Sequence, residues 1–338
     1  MTHEGAPRRP FCRFRSVTGF TFGAAVFALA ASGCRVGDPT VAQRWAETTP
    51  RPPSVVTPDI AYGPLAAQRF DLYASSAARV DGRTIVFVHG GAWTGGDRTQ
   101  VPGLLWDLGR YGWNIVSIDY RLACSDRANV LCTSARFTDQ ISDVKLAIRF
   151  VKAHASRFGI DPNRVVVAGY SAGGHLATIA GLSAGSMEPP AAQMDRSVRA
   201  VTSAVRGYLS FNGPTDMTAL LASHDGIFDA YLAPSAALLF RSCVVRADHT
   251  AVCDPHEVAP ANAATWIDAE DPPGYLFSGG IDTIVPPASQ AIPFERRVTR
   301  VTHDSGRVWL DIGEKANHFG FSAVNYQAVR DWLQAIVR

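Results

Sequence analysis

The stretch Gly169-Tyr170-Ser171-Ala172-Gly173 constrains this chain more than any other. A β-prone run, Val165-Val166-Val167-Ala168, leads into it, and Gly174 to Ala180 leads out as the start of a helix. A G-x-S-x-G pattern between strand and helix describes a sharp turn that lifts a serine hydroxyl above the edge of a sheet. The serine takes strained backbone angles there, and small neighbours let strand and helix approach closely. The pattern by itself recurs by chance. It gains meaning when the same chain also supplies a base, an acid and backbone donors for a developing oxyanion.

The surrounding chain reads as alternating strands and helices. Arg69-Phe70-Asp71-Leu72-Tyr73 alternates as an early strand, and Thr84-Ile85-Val86-Phe87-Val88 is a continuous apolar run of the kind buried in a parallel sheet. Leu104, Leu105 and Leu108 predict a helix over 101–111, and Asn114 to Ile118 predicts a further strand. Ile141, Val144, Ile148 and Val151 recur at helical spacing and predict an amphipathic helix over 137–158. With 338 residues, 47% of them hydrophobic, the chain has ample core material for one large domain.

The first of these buried runs delivers the chain into His89-Gly90-Gly91-Ala92-Trp93. Glycines at a strand end let backbone N–H groups point into a cavity, where they stabilise the charged oxygen of an acyl-transfer intermediate. Gly91 and Ala92 are the candidate donors from this loop, and Ala172, just after the serine, is the third. His89 is read as a brace for the loop rather than as a base. Trp93 either lines an acyl pocket or packs beneath the loop. Tyr170 and His175 are the other candidate pocket residues.

A serine hydroxyl needs a histidine to take its proton and a carboxylate to orient that histidine. Asp282 stands in a glycine-bearing loop after the strand predicted at Gly274 to Phe277, and His318 follows the last strand at Val308 to Ile312. Asp268, Glu270 and Asp271 precede their strand and so lie at its wrong end, and are read as solvated charges. His303 likewise precedes its strand. The order Ser171, Asp282, His318 matches the order of the triad on an α/β-hydrolase sheet.

Taken together, His89-Gly90-Gly91-Ala92-Trp93, Asp119-Tyr120-Arg121-Leu122 and Gly169 to Gly173 resemble an α/β-hydrolase. The resemblance is to the esterase group that includes hormone-sensitive-lipase-like enzymes, kynurenine formamidases and feruloyl or acetylxylan esterases, and it covers about residues 60 to 338. The third glycine of the lipase-like branch is Ala92 here, and Trp93 is closer to the formamidase and feruloyl-esterase pattern. The run from Asp282 to Val285-Pro286 resembles the family's acid loop. The resemblance implies a mostly parallel central sheet flanked by helices, and no cofactor or metal. It also implies a cap inserted over about 213–272, with Phe228, Tyr231, Leu232, Leu238, Leu239 and Phe240 as its apolar face. Asp248, His249, Asp254, His256 and Glu257 in that interval show no recognised ligand spacing.

The N-terminus reads as an address. Arg8, Arg9, Arg13 and Arg15 precede an uncharged stretch from Val17 to Ala31, too short for a membrane span and suited to a signal peptide. Ala31-Ser32-Gly33-Cys34 resembles a bacterial lipoprotein signal, with lipid on Cys34, and Arg8-Arg9 resembles a twin-arginine signal. The expected plan is a signal over 1–33, a Pro- and Thr-rich tether over 34–58 and a catalytic domain over 59–338. Export places the protein in the cell envelope, attached to a membrane through Cys34. Four further cysteines permit three pairings, and nearest-neighbour pairing, Cys124 with Cys132 and Cys243 with Cys253, would staple two short loops. The alternative is four reduced, buried cysteines. Net charge is +2 and the excess lies in the leader, so nothing argues for a nucleic-acid partner.

The expectation is an exported serine carboxylic-ester hydrolase. An amidase, arylformamidase or peptidase on the same triad is one alternative, and a non-catalytic binding protein on the same fold is another.

Overall fold

The computed structural model describes residues 56–75, 77, 81–124, 128–223 and 229–338. The signal segment, Cys34 and residues 34–55 of the tether lie outside them, as do Phe228 and the side chain of Tyr231. The described residues belong to one compact unit, Thr49–Arg338.

Apolar residues that alternate between the two faces of the sheet build the core on both sides. Strands β1 (Val56–Ala61), β2 (Arg69–Tyr73), β3 (Thr84–Val88), β4 (Asn114–Ile118), β5 (Val165–Tyr170) and β6 (Tyr208–Phe211) join β9 (Gly274–Gly279) and β10 (Val308–Gly313) in one sheet. Its order is β1-β2-β4-β3-β5-β6-β9-β10. β2 runs antiparallel to both its neighbours, and every other pairing is parallel. Val86 and Val88 of β3 face one apolar cluster, which helices α2 (Phe137–Ala153), α3 (Ala172–Leu182) and α5 (Ala291–Thr302) complete. Ile85 and Phe87 face the other, completed by α1 (Gly103–Arg110) and α6 (Tyr326–Ile336). Burial on both faces explains why β3 reads as an unbroken apolar run. Each such fully buried side chain contributes about 1.5–3 kcal/mol.

Two boundaries differ from the sequence expectation. The tether was expected to reach residue 58, yet β1 already starts at Val56. β1 is an exposed edge strand, and its register shifts between Thr57 and Ile60, with Asp59 at φ +60°. A proline and a bulge at an edge leave no strand pattern to read. The helix expected over 137–158 ends at Ala153, and a separate turn, Ala155–Phe158, closes on Gly159 at φ +65°.

Residues 213–272 hold α4 (Asp229–Ala237), a small antiparallel pair of β7 (Val244–Val245) with β8 (Ala251–Val252), and short helical turns. Leu232, Leu239 and Phe240 do not form a free cap face. They are buried in the cluster that contains α2 and α3, while Leu238 is exposed. Arg136, at the start of α2, donates from Nη1 to the carbonyls of Leu238 and Phe240, and the Phe137 N–H donates to Leu239 O. The cysteines pair as nearest neighbours: Cys124–Cys132 and Cys243–Cys253.

Candidate active site

Ser171 follows β5 and caps α3 with φ 52° and ψ −121°. Left-handed angles at a non-glycine residue cost of order 1–3 kcal/mol and persist where the surroundings over-determine them. Here a Cβ on Gly169 would lie 2.1 Å from Gly173 O, and one on Gly173 would lie 2.0 Å from Val88 O. Only glycine fits either place. The Ser171 N–H donates to Phe211 O at 2.8 Å, which ties the elbow to β6.

The loops after β9 and β10 bring two further side chains to this turn. His318 Nε2 is 3.0 Å from Ser171 Oγ, and His318 Nδ1 is 2.8 Å from Asp282 Oδ2. Asp282 Oδ1 accepts N–H groups from Ile284 and Val285. A carboxylate accepts only, so Nδ1 carries the imidazole proton and Nε2 is free to accept from the serine hydroxyl. Ser171, His318 and Asp282 are 9%, 4% and 3% exposed, so the relay is screened from bulk water with the serine its most open member.

Gly91, Ala92 and Trp93 have φ of 115°, 49° and 62°, and Gly91 O accepts from the N–H groups of Thr94 and Gly95. This tight left-handed turn packs against the elbow: a Cβ on Gly90 would meet the Tyr170 ring at 2.9 Å. Ala172 is the first residue of α3, so its N–H has no acceptor within the helix. His89 is fully buried; its Nδ1 donates to Gly90 O at 2.7 Å and its ring stacks on Tyr120 at 4.4 Å. Burial lowers its pKa and keeps it neutral, as suits a brace.

Trp93 and His175, candidates for a substrate pocket, are instead core residues with no exposure. Trp93 Nε1 donates to His175 Nδ1 at 3.2 Å, and His175 Nε2 donates to Ala261 O at 2.7 Å. The pair staples the 89–96 loop to α3 and to the 213–272 excursion. Both are apolar-bodied side chains whose polar atoms find partners inside, which sequence alone does not distinguish from a pocket lining. Tyr170 is half-buried beside His318 and donates from its hydroxyl to His318 O at 3.2 Å. Asp271, expected to be a solvated charge, is buried, and desolvation pushes its pKa up to about 7; it lies at the start of β9, away from Asp282 at the other end.

Two residues the sequence did not flag support the site. Arg98 closes the loop after β3 by pairing with Asp59, Asp71 and the buried Asp119. Asn212, the residue after β6, donates from Nδ2 to His318 O and accepts the Gly279 N–H. Neither belongs to a local motif, because their partners lie on other strands.

A strained serine on a strand-to-helix turn, hydrogen-bonded in series to a histidine and an aspartate above a mostly parallel sheet, defines a serine hydrolase of the α/β-hydrolase fold. Within that class the chain belongs to the BD-FAE family, whose family model matches residues 70–297 and so includes Ser171 and Asp282, with His318 beyond it. It is 31% identical over 251 residues to the probable carboxylic ester hydrolase LipM of Mycobacterium tuberculosis, covering 72% of this chain and 52% of that protein. It is 29% identical over 298 residues to the esterase LipQ of the same organism, covering 83% and 62%. The chain thus spans about half to three-fifths of the length of these relatives. A truncated carbohydrate esterase from gut microbiota superposes with a TM-score of 0.69 at 19% identity, covering 85% of this chain and 97% of that one, a likeness of fold.

Proposed function

We propose that this protein hydrolyses carboxylic esters through a covalent acyl-enzyme on Ser171. The observation that carries the reading is the continuous relay from Ser171 Oγ through His318 to Asp282. Ser171 Oγ attacks the ester carbonyl carbon as its proton passes to His318 Nε2. The carbonyl oxygen becomes an oxyanion facing the N–H groups of Gly91, Ala92 and Ala172. The tetrahedral intermediate collapses, the C–O bond to the alcohol breaks, and His318 returns the proton to the leaving alkoxide. Water then enters and gives a proton to His318 as its oxygen bonds to the acyl carbon; the bond from that carbon to Ser171 Oγ breaks, His318 returns the proton to Oγ, and the carboxylic acid leaves. Asp282 orients the imidazole through its bond to Nδ1. The names of the relatives, esterases and a carboxylic ester hydrolase, support an ester over an amide. Turnover of a panel of p-nitrophenyl esters against matched anilides tests this. Esters are expected to be hydrolysed, and Ser171→Ala to lower kcat by about a thousandfold or more. Faster anilide cleavage, or full activity in Ser171→Ala, contradicts the reading.

We infer further that the protein is exported and held at a membrane by lipid on Cys34. The basic leader, the apolar stretch and the small residues before Cys34 support this, and two disulfides suit an oxidising compartment. Labelled palmitate fed to expressing bacteria is expected to enter the wild type and not Cys34→Ser. Equal labelling of both would refute lipidation at that cysteine.

A further inference from the structure

We propose that Asn212 is a positioning residue that holds His318 within reach of both Ser171 and Asp282. The inference rests on the acyl-enzyme reading above and assigns a role to a side chain that touches neither substrate nor the reacting atoms.

The imidazole of His318 must keep two distances at once, 3.0 Å to Ser171 Oγ and 2.8 Å to Asp282 Oδ2. Its backbone is in a loop whose neighbours, Asn317 and Phe319, are exposed. Ala316 and Phe321 anchor the loop in the core, but the exposed residues on either side of His318 leave its own backbone to be placed by directed bonds. Asn212 supplies one: its Nδ2 donates to His318 O at 2.6 Å. The same side chain accepts the Gly279 N–H through Oδ1 at 2.9 Å, and its backbone N–H donates to Phe277 O at 2.8 Å. Phe277 and Gly279 are in β9, the strand that leads to Asp282. The preceding carbonyl, Phe211 O, accepts the Ser171 N–H. The end of β6 therefore grips the backbone of all three triad segments, and the amide of Asn212 is the piece that spans acid strand and base loop.

Residue type and conformation agree with that role. Asn212 is 1% exposed and has φ +51°, left-handed angles that asparagine tolerates better than other non-glycine residues. An apolar residue would fill the space but could neither donate to His318 nor accept from Gly279. The Tyr170 hydroxyl donates to the same His318 carbonyl at 3.2 Å, a longer second hold from the elbow itself.

Asn212→Gly isolates the side chain, because glycine adopts the left-handed angles without strain. On p-nitrophenyl butyrate we expect a roughly 10- to 100-fold fall in kcat with KM within about threefold of wild type, the signature of a misplaced catalytic group. Unfolding midpoint and circular dichroism verify that the variant is folded. The downfield proton resonance of His318 Nδ1–H, expected in the wild type, should broaden or move. Wild-type kcat in folded Asn212→Gly, or a loss confined to KM, overturns the proposal. Should that variant not fold, Asn212→Asp keeps the size and the acceptor for Gly279 while removing the donor, and it is judged by the same kcat, KM and resonance criteria. Ser171→Ala is assayed alongside. If it keeps activity, the acyl-enzyme reading has failed; if it is dead while the Asn212 variants match wild type, only the positioning role has failed.

Discussion

At the scale of single residues, strain and burial mark what each side chain does. Ser171 tolerates its angles because Gly169 and Gly173 leave room for close backbone contact. His175 shows the opposite use of a polar group. Buried completely, between Trp93 Nε1 and Ala261 O, it is a neutral strut whose pKa desolvation depresses from an ordinary 6.5 to about 4. An unfolded chain binds a proton there below pH 6.5 and the folded chain does not until about pH 4. The contribution of His175 to stability is therefore whole above pH 6.5 and is lost as pH falls toward 4. At pH 5 the loss is about 2 kcal/mol. Asp271, raised to about 7, shifts stability the opposite way over the same range, so the readout is the difference between proteins: from pH 7 to pH 5 urea unfolding is expected to show the wild type losing about 2 kcal/mol relative to a folded His175→Gln variant. Equal drops would assign the acid sensitivity to other groups. Ser171, Asp282 and His318 could be named from sequence because each follows a recognisable strand. The roles of Trp93 and His175 could not, because whether an aromatic ring faces a cavity or a neighbour is decided by packing across the molecule.

At the scale of elements, the loop proposed to hold the oxyanion depends on backbone shape more than on side chains. Gly91 has φ +115°, and a Cβ there would come within 2.1 Å of Gly95 O. Gly91→Ala is thus expected to displace the loop and lower kcat by about 100- to 1000-fold, the scale of losing one oxyanion donor. Steady-state kinetics on a p-nitrophenyl ester measures it, and a loss under threefold in folded protein would remove Gly91 from the hole. The buried strands β2, β3 and β4 were legible to the residue, since two-sided burial leaves continuous or alternating apolar runs. β1 was not, because an exposed bulged edge imposes no pattern. The excursion was legible as an interval but not as a surface. Leu239 and Phe240, expected on the apolar face of a cap, are buried against α2 and held by Arg136 instead.

For the molecule as a whole, the site is a product of sheet order. β5, β6 and β9 are adjacent and parallel, with β10 beside β9, so the loops at their carboxyl ends meet although Ser171 and His318 are 147 residues apart. The alternation of strands and helices made this architecture readable, and the serine, acid and base followed from it in chain order. What the sequence did not expose is the wiring between elements. Arg98 joins the loop after β3 to carboxylates on or beside β1, β2 and β4, and Asn212 joins β6 to the strand before Asp282 and the loop of His318. Such contacts have no local spacing and exist only once the sheet has formed. The two disulfides illustrate the intermediate case, where short separations of 8 and 10 residues favoured one pairing among three.

The central claim is that the assembled relay makes Ser171 a nucleophile, and reaction with a fluorophosphonate followed by peptide mass spectrometry tests it most directly. The folded wild-type protein is expected to carry one phosphonyl adduct, on Ser171, and folded His318→Ala to react at least about a hundredfold more slowly. An unlabelled Ser171 in folded wild-type protein, or an adduct on another residue, would contradict the account.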